Sequence, residues 1–189
     1  RITGSGDVSL QAGNQLGGAS ATIASQQGNI NIAAANNIEL RVDQNTYSES
    51  GRASNFTSQT SITRHTQGTI TSARNTDINA GGDLTLTGTD LASGGDTHLS
   101  ASGDTTISAV VDTEYHYNTR TTDRSYGRSS KTTNETLSST VTGGNLSSGG
   151  DLLINAHKNA QGGIITEQSG NVALTGTQLQ STGDIAIAA

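Results

Sequence analysis

The chain has 189 residues, no Cys, Pro, Met or Trp, and a formal charge of -6 from 10 basic and 16 acidic side chains. Thiol catalysis, disulfides and thiolate metal sites are therefore excluded, and the acidic balance argues against a nucleic-acid stalk. With proline absent, the 24 glycines must turn the chain together with Asn and Asp.

From the N-terminus a short unit recurs: Gly or Asn, then Asp or Asn, then alternating apolar residues. It appears as Gly6-Asp7-Val8-Ser9-Leu10, Gly28-Asn29-Ile30-Asn31-Ile32 and Asn36-Asn37-Ile38-Glu39-Leu40. Gly82-Asp83-Leu84, Gly95-Asp96-Thr97 and Gly103-Asp104-Thr105 continue it, followed by Gly150-Asp151-Leu152, Gly170-Asn171-Val172 and Gly183-Asp184-Ile185. Period-two alternation over such short runs predicts half-buried strands between tight turns, with Gly supplying positive φ and Asx bonding to nearby amides.

Spacing turns these strands into a solenoid. Gly6 to Gly28, Gly82 to Gly103 and Gly150 to Gly170 step by 22, 21 and 20 residues. Each step holds two or three strands, as one turn of a parallel β-helix does. Leu84–Ala101 also recurs as Val172–Ala189, so a piece of winding repeats whole. Val8, Leu10, Ile30, Ile32, Leu84, Leu86, Leu99, Ile107, Leu152, Ile154, Leu174, Ile185 and Ile187 are expected to point inward. Ser9, Asn31, Thr85, His98, Thr106 and Ala186 are expected outside. An antiparallel sandwich is the rival, and it requires hairpins between consecutive strands.

Two stretches break the rhythm, about 41–75 and about 111–142. They hold all five aromatic residues, Tyr47, Phe56, Tyr115, Tyr117 and Tyr126. They also hold eight of the ten basic ones: Arg41, Arg52, Arg64, Arg74, Arg120, Arg124, Arg128 and Lys131. Thr, Tyr and Val favour extended chain, so each stretch reads as a long β-excursion turning near Gly51 or Gly127; Ser/Thr-rich disorder is the competing reading. Alternation puts Tyr115, Tyr117, Thr119 and Thr121 on one face, with His116, Arg120 and Arg124 on the other.

The phrases Gly81–Thr89 (GGDLTLTGT), Ala92–Asp96 (ASGGD) and Leu146–Leu152 (LSSGGDL) resemble the later haemagglutinin-repeat region of filamentous-haemagglutinin-type exoproteins. These are exported by two-partner secretion and include the contact-dependent growth-inhibition effectors. The resemblance implies a right-handed parallel β-helix outside a Gram-negative cell: an all-β solenoid, residues 1–189 forming one segment of a longer filament, with two long excursions. It also implies a repeat that acts at the target-cell outer membrane in delivering a toxin.

Other chemistries fit poorly. The Gly-Gly-Asp runs lack the nine-residue period of calcium β-rolls, and His65, His98, His116 and His157 have no ligand spacing. No metal, no cofactor and no catalytic residue is expected; solvent-facing histidines and turn-capping aspartates account for these groups. A polysaccharide-active β-helix enzyme is the least favoured alternative, because Asp83, Asp104 and Asp151 occupy turn positions without basic partners. Function is expected in the excursions, with Tyr47, Phe56, Tyr115, Tyr117, Arg120, Arg124, Tyr126 and Arg128 as candidate contacts, since Tyr and Arg carry binding energy at interfaces. The bland alternative is that these rings only pack and order the excursions. Expected partners are neighbouring repeats of the same chain, the target-cell outer membrane or a surface receptor, with carbohydrate or protein binding as the alternative and no nucleic acid.

Overall fold

A computed structural model describes residues 1–158, 163–166 and 170–189. The first winding is β1 (Ile2–Gly4), β2 (Val8–Ala12) and β3 (Leu16–Ala19); the second is β4 (Thr22–Ser25), β5 (Ile30–Ala34) and β6 (Ile38–Arg41). After a hairpin of β7 (Asp43–Ala53) and β8 (Phe56–Thr66), the third winding is β9 (Gly68–Ser72), β10 (Thr76–Ala80) and β11 (Leu84–Thr87). The fourth is β12 (Thr89–Ser93), β13 (Thr97–Ala101) and β14 (Thr105–Ser108), followed by the second hairpin, β15 (Val110–Arg124) and β16 (Arg128–Thr142). Then come β17 (Asn145–Ser148), β18 (Leu152–Ile154), a short antiparallel pair β19 (Ala156–Lys158) and β20 (Ile164–Thr166), and β21 (Val172–Thr175). Finally β22 (Gln178–Ser181) and β23 (Ile185–Ile187) begin a sixth winding.

Corresponding strands of successive windings pair in parallel, in the orders β1-β4-β9-β12-β17-β22, β2-β5-β10-β13-β18-β23 and β3-β6-β11-β14-β21. This is a parallel solenoid; the sandwich rival fails because consecutive winding strands do not pair. Register stacks like on like. Leu10, Ile32, Ile78, Leu99, Ile154 and Ile187 form one column, and Ile2, Ile23, Ile70, Leu91, Leu146 and Leu179 another. Ile30, Ile32, Ile38, Ile70, Ile78, Leu84, Leu86, Leu99, Ile107, Leu152 and Ile154 are wholly buried, each worth about 1.5–3 kcal/mol of burial. Two expected inward residues are not enclosed. Ile185 and Ile187 stay 46% and 44% exposed because no described strand stacks on β23.

The corner before each second-sheet strand shows why the Ser-Gly-Gly-Asp phrase recurs. Asp7, Asn29, Asn75, Asp96 and Asp151 each use Oδ1 to accept the backbone N–H of the Asx one winding on, at 2.7–3.1 Å. A parallel ladder runs through Asn37, Asp83, Asp104 and Asn171 before the third sheet. The Gly ahead of the Asx leaves room for that Oδ1: a Cβ on Gly95 would fall on the Asn75 carbonyl oxygen, and one on Gly150 on the Asp96 carboxylate. The preceding Gly94 lies against the Ala73 carbonyl in the same way. These glycines therefore answer close approach between windings; the positive φ expected of them is absent there and occurs instead at corners such as Gly88 (φ 58°). Ser25, Ser72, Ser93, Ser148 and Ser181 add a hydroxyl ladder, each donating to a corner carbonyl.

Both hairpins leave the winding at one kind of corner, from the third sheet to the first, after the second and fourth windings. The first excursion is shorter than the expected 41–75. Arg41 belongs to β6, and Gly68–Ser72 is a winding strand with Ile70 wholly buried among Thr neighbours. Arg41 pairs with Glu39 on the winding, and Arg74 sits in a winding corner. Gly51 lies within β7 while Ser54-Asn55 makes the turn; the second turn is Ser125–Gly127, with Tyr126 and Gly127 both at φ 68°, the pair of positive φ values a type I′ turn demands. At the base of the first hairpin Ser20 (φ 47°) accepts the Asp43 N–H and donates to the Thr66 carbonyl. The chain divides into two compact units: the windings (1–43, 66–110, 143–189) and the paired excursions (44–65, 111–142).

Candidate interaction surface: the antiparallel hairpin sheet

The excursions are ordered β-structure. Ser/Thr-rich strands cannot bury much apolar area, yet here the two hairpins zip into one four-stranded antiparallel sheet, order β16-β15-β8-β7. The central seam pairs β15 with β8 over eight residues, from Thr113↔Thr63 to Arg120↔Phe56. Alternation then sorts the side chains. Tyr115 and Tyr117 lie opposite Ser61 and Gln59, while His116 and Arg120 lie opposite Thr60 and Phe56 on the other face.

Side-chain hydrogen bonds and an Arg64–Glu114 ion pair supply at the seam what hydrophobic packing does not. Near the base, Asp112 Oδ1 accepts the His65 backbone N–H at 2.8 Å and contacts His65 Nδ1 at 2.9 Å, while Thr142 Oγ1 donates to Oδ2 at 3.3 Å. Both His65 and Asp112 side chains are nearly buried, at 11% and 13% exposure, so His65 is a seam residue and not the solvent-facing one expected. Further along, Glu114 takes Arg64 at 2.6 Å and His116 Nε2 at 2.7 Å, and His116 Nδ1 meets Thr60 Oγ1 at 3.2 Å. Burial pushes the Asp112 carboxyl up, but hydrogen bonds from His65 and Thr142 outweigh it and hold it below its usual range. The His116 hydrogen bond, with the Arg64 charge behind it, lowers Glu114. Sequence reasoning missed both clusters because the partners stand about fifty residues apart with no local motif linking them.

The eight candidate contact residues all lie in this unit; Phe56, Tyr117 and Arg120 line one groove and the other five do not join them. Tyr47, half exposed on β7, donates its hydroxyl to Glu49. Tyr115 and Tyr117 are half-buried; burial and then the neighbouring Glu135 carboxylate raise the Tyr115 hydroxyl. Phe56 and Arg120 form a cross-strand pair beside an open groove of about 500 Å³ that is also lined by Thr60, His116, Asn118 and Asn134. Tyr126 stands fully exposed at the tip of the second hairpin, flanked by exposed Arg124 and Arg128. His157 falls where no side chain is described. Among the described residues, no group of three or more His, Asp or Glu is placed to hold a metal ion.

Residues 50–125 match the family described as Hemagglutinin repeat, a span that includes both strands of the seam and the third and fourth windings. No curated protein and no solved structure matches the chain.

Proposed function

We propose a delivery role for this chain, whose residues 50–125 match the Hemagglutinin repeat family, and we read it as a structural repeat of an adhesin-type secreted or surface exoprotein. The windings give the filament rigid length, and the hairpin sheet meets the outer membrane of a target Gram-negative cell as a toxin-carrying exoprotein engages it. The observation that carries this reading is the tip of the second hairpin. Tyr126 is wholly exposed between Arg124 and Arg128, and a ring with a polar edge flanked by cations suits a membrane–water boundary rich in anionic headgroups. Flotation with vesicles containing lipopolysaccharide tests it. The Tyr126→Ser, Arg124→Ser, Arg128→Ser variant should stay at the bottom of the gradient while the parent chain floats. Flotation unchanged in that variant would remove the membrane reading.

A second reading is supported by the groove beside Phe56 and Arg120: an aromatic face, a guanidinium unpaired among the described residues, and two amides suit a saccharide or peptide ligand. Phe56→Ser with Arg120→Ser should then abolish adhesion to glycan or receptor arrays and leave flotation intact. No catalysis is proposed. Asp112 and Glu114 are engaged with His65, His116 and Arg64, and a screen of acidic polysaccharides should show no turnover.

A further inference from the structure

The hairpin sheet has two outer strands, and they differ. At one edge, β16 runs 15 residues without Gly or Pro, and only Ser130 and Thr142 are even partly covered. Natural sheets blunt such edges with Pro, bulges, shortness or charged side chains, because unpaired N–H and C=O groups template another strand. β16 carries three charges, Arg128, Lys131 and Glu135, spread over eight residues. Lys131 has no ion pair among the described residues, and Leu137 and Val141 stand 70% and 61% exposed.

We propose that β16 is a homotypic docking edge whose occupant is the β16 of a second copy of this chain, paired antiparallel across a twofold axis at Thr133. The charge pattern selects that arrangement. Lys131 and Glu135 are equidistant from Thr133, so antiparallel pairing about it sets Lys131 of each copy opposite Glu135 of the other. Two reciprocal ion pairs form, the isologous contact a twofold requires. Glu135 is close enough to Tyr115 for its carboxylate to raise that hydroxyl, which places it on the Tyr115 face of the sheet. The pairing continues an interface already present, since the β15–β8 seam joins two polar hairpins edge to edge through backbone bonds and a cross-strand ion pair. Antiparallel direction also places the joining ends of the two hairpins at opposite ends of the new seam. The combined sheet has eight strands, and the contact ties one chain to another.

The proposal stands apart from the membrane reading, and its test involves no lipid. Because the chain has no native Cys, single substitutions report proximity cleanly. Thr133→Cys, which would face itself across the axis, should cross-link into covalent dimers, whereas Ser48→Cys on β7 should not. In sedimentation-equilibrium runs Lys131→Glu should weaken the dimer about tenfold, as two attractive pairs become repulsive, and Lys131→Glu with Glu135→Lys should restore it. Circular dichroism of each variant checks that strand content is kept. A chain monomeric at all concentrations, equal cross-linking at Ser48→Cys, or no recovery in the charge swap would each overturn the proposal.

Discussion

Thr97 and Gly94 illustrate how single residues carry the winding. Thr97 sits wholly buried in an inward column between Thr76 and Leu152, and its Oγ1 has no hydrogen-bond partner. A buried hydroxyl left unmatched costs more than it returns, so Thr97→Val should stabilise the chain by about 1 kcal/mol and raise Tm by about 2–4 °C, read by calorimetry. Gly94 and Gly6 make the opposite contrast. A methyl on Gly94 meets the Ala73 carbonyl, while one on Gly6 meets nothing within 4 Å. Gly94→Ala should therefore cost about 1–3 kcal/mol as an overpacked site, and Gly6→Ala almost nothing, in parallel denaturant titrations.

At the scale of elements, the hairpin sheet and the windings rest on different forces. Windings bury columns of Ile and Leu; the sheet relies on backbone pairing and two polar clusters, whose central carboxylates, Asp112 and Glu114, are held low by their partners. A carboxylate with a depressed folded pKa stabilises fully above its unfolded value, near 3.8 for Asp112 and 4.5 for Glu114, and that contribution is lost as pH falls through the folded value. Hydrogen exchange of β8 and β15 amides should accordingly accelerate, beyond the change in intrinsic rate, once pH drops below about 4. Asp112→Asn should show raised exchange at the hairpin base already at pH 7, with a flatter acid response.

For the molecule as a whole, the two hairpins are insertions at corners that need no insertion. Between the third and fourth windings Gly88 alone joins β11 to β12. Joining Arg41 to Gly68 through one glycine should therefore leave the parallel windings intact, seen as an unchanged β signature and cooperative unfolding in circular dichroism. Exchange protection should peak in the third and fourth windings, stacked on both sides, and decline toward Ile2 and Ile187, because each winding is stabilised mainly by its neighbours.

Strand positions, the winding period and the inward columns were legible in the chain, because a thin solenoid repeats one short chemical phrase and each strand is a local alternation. The first-sheet strands were less so. They begin without Gly-Asx, and Thr69-Ile70-Thr71 reads like the Ser/Thr-rich run beside it, which is why the first excursion reads longer in the sequence than the hairpin is. Only tertiary structure decided what the glycines are for, since the atoms that forbid their Cβ belong to the winding below. It also decided that the excursions pair with each other. The Asp112–His65 and Glu114–Arg64 contacts join residues 47 and 50 positions apart, a distance across which a sequence with no second copy of the pattern carries no signal of register.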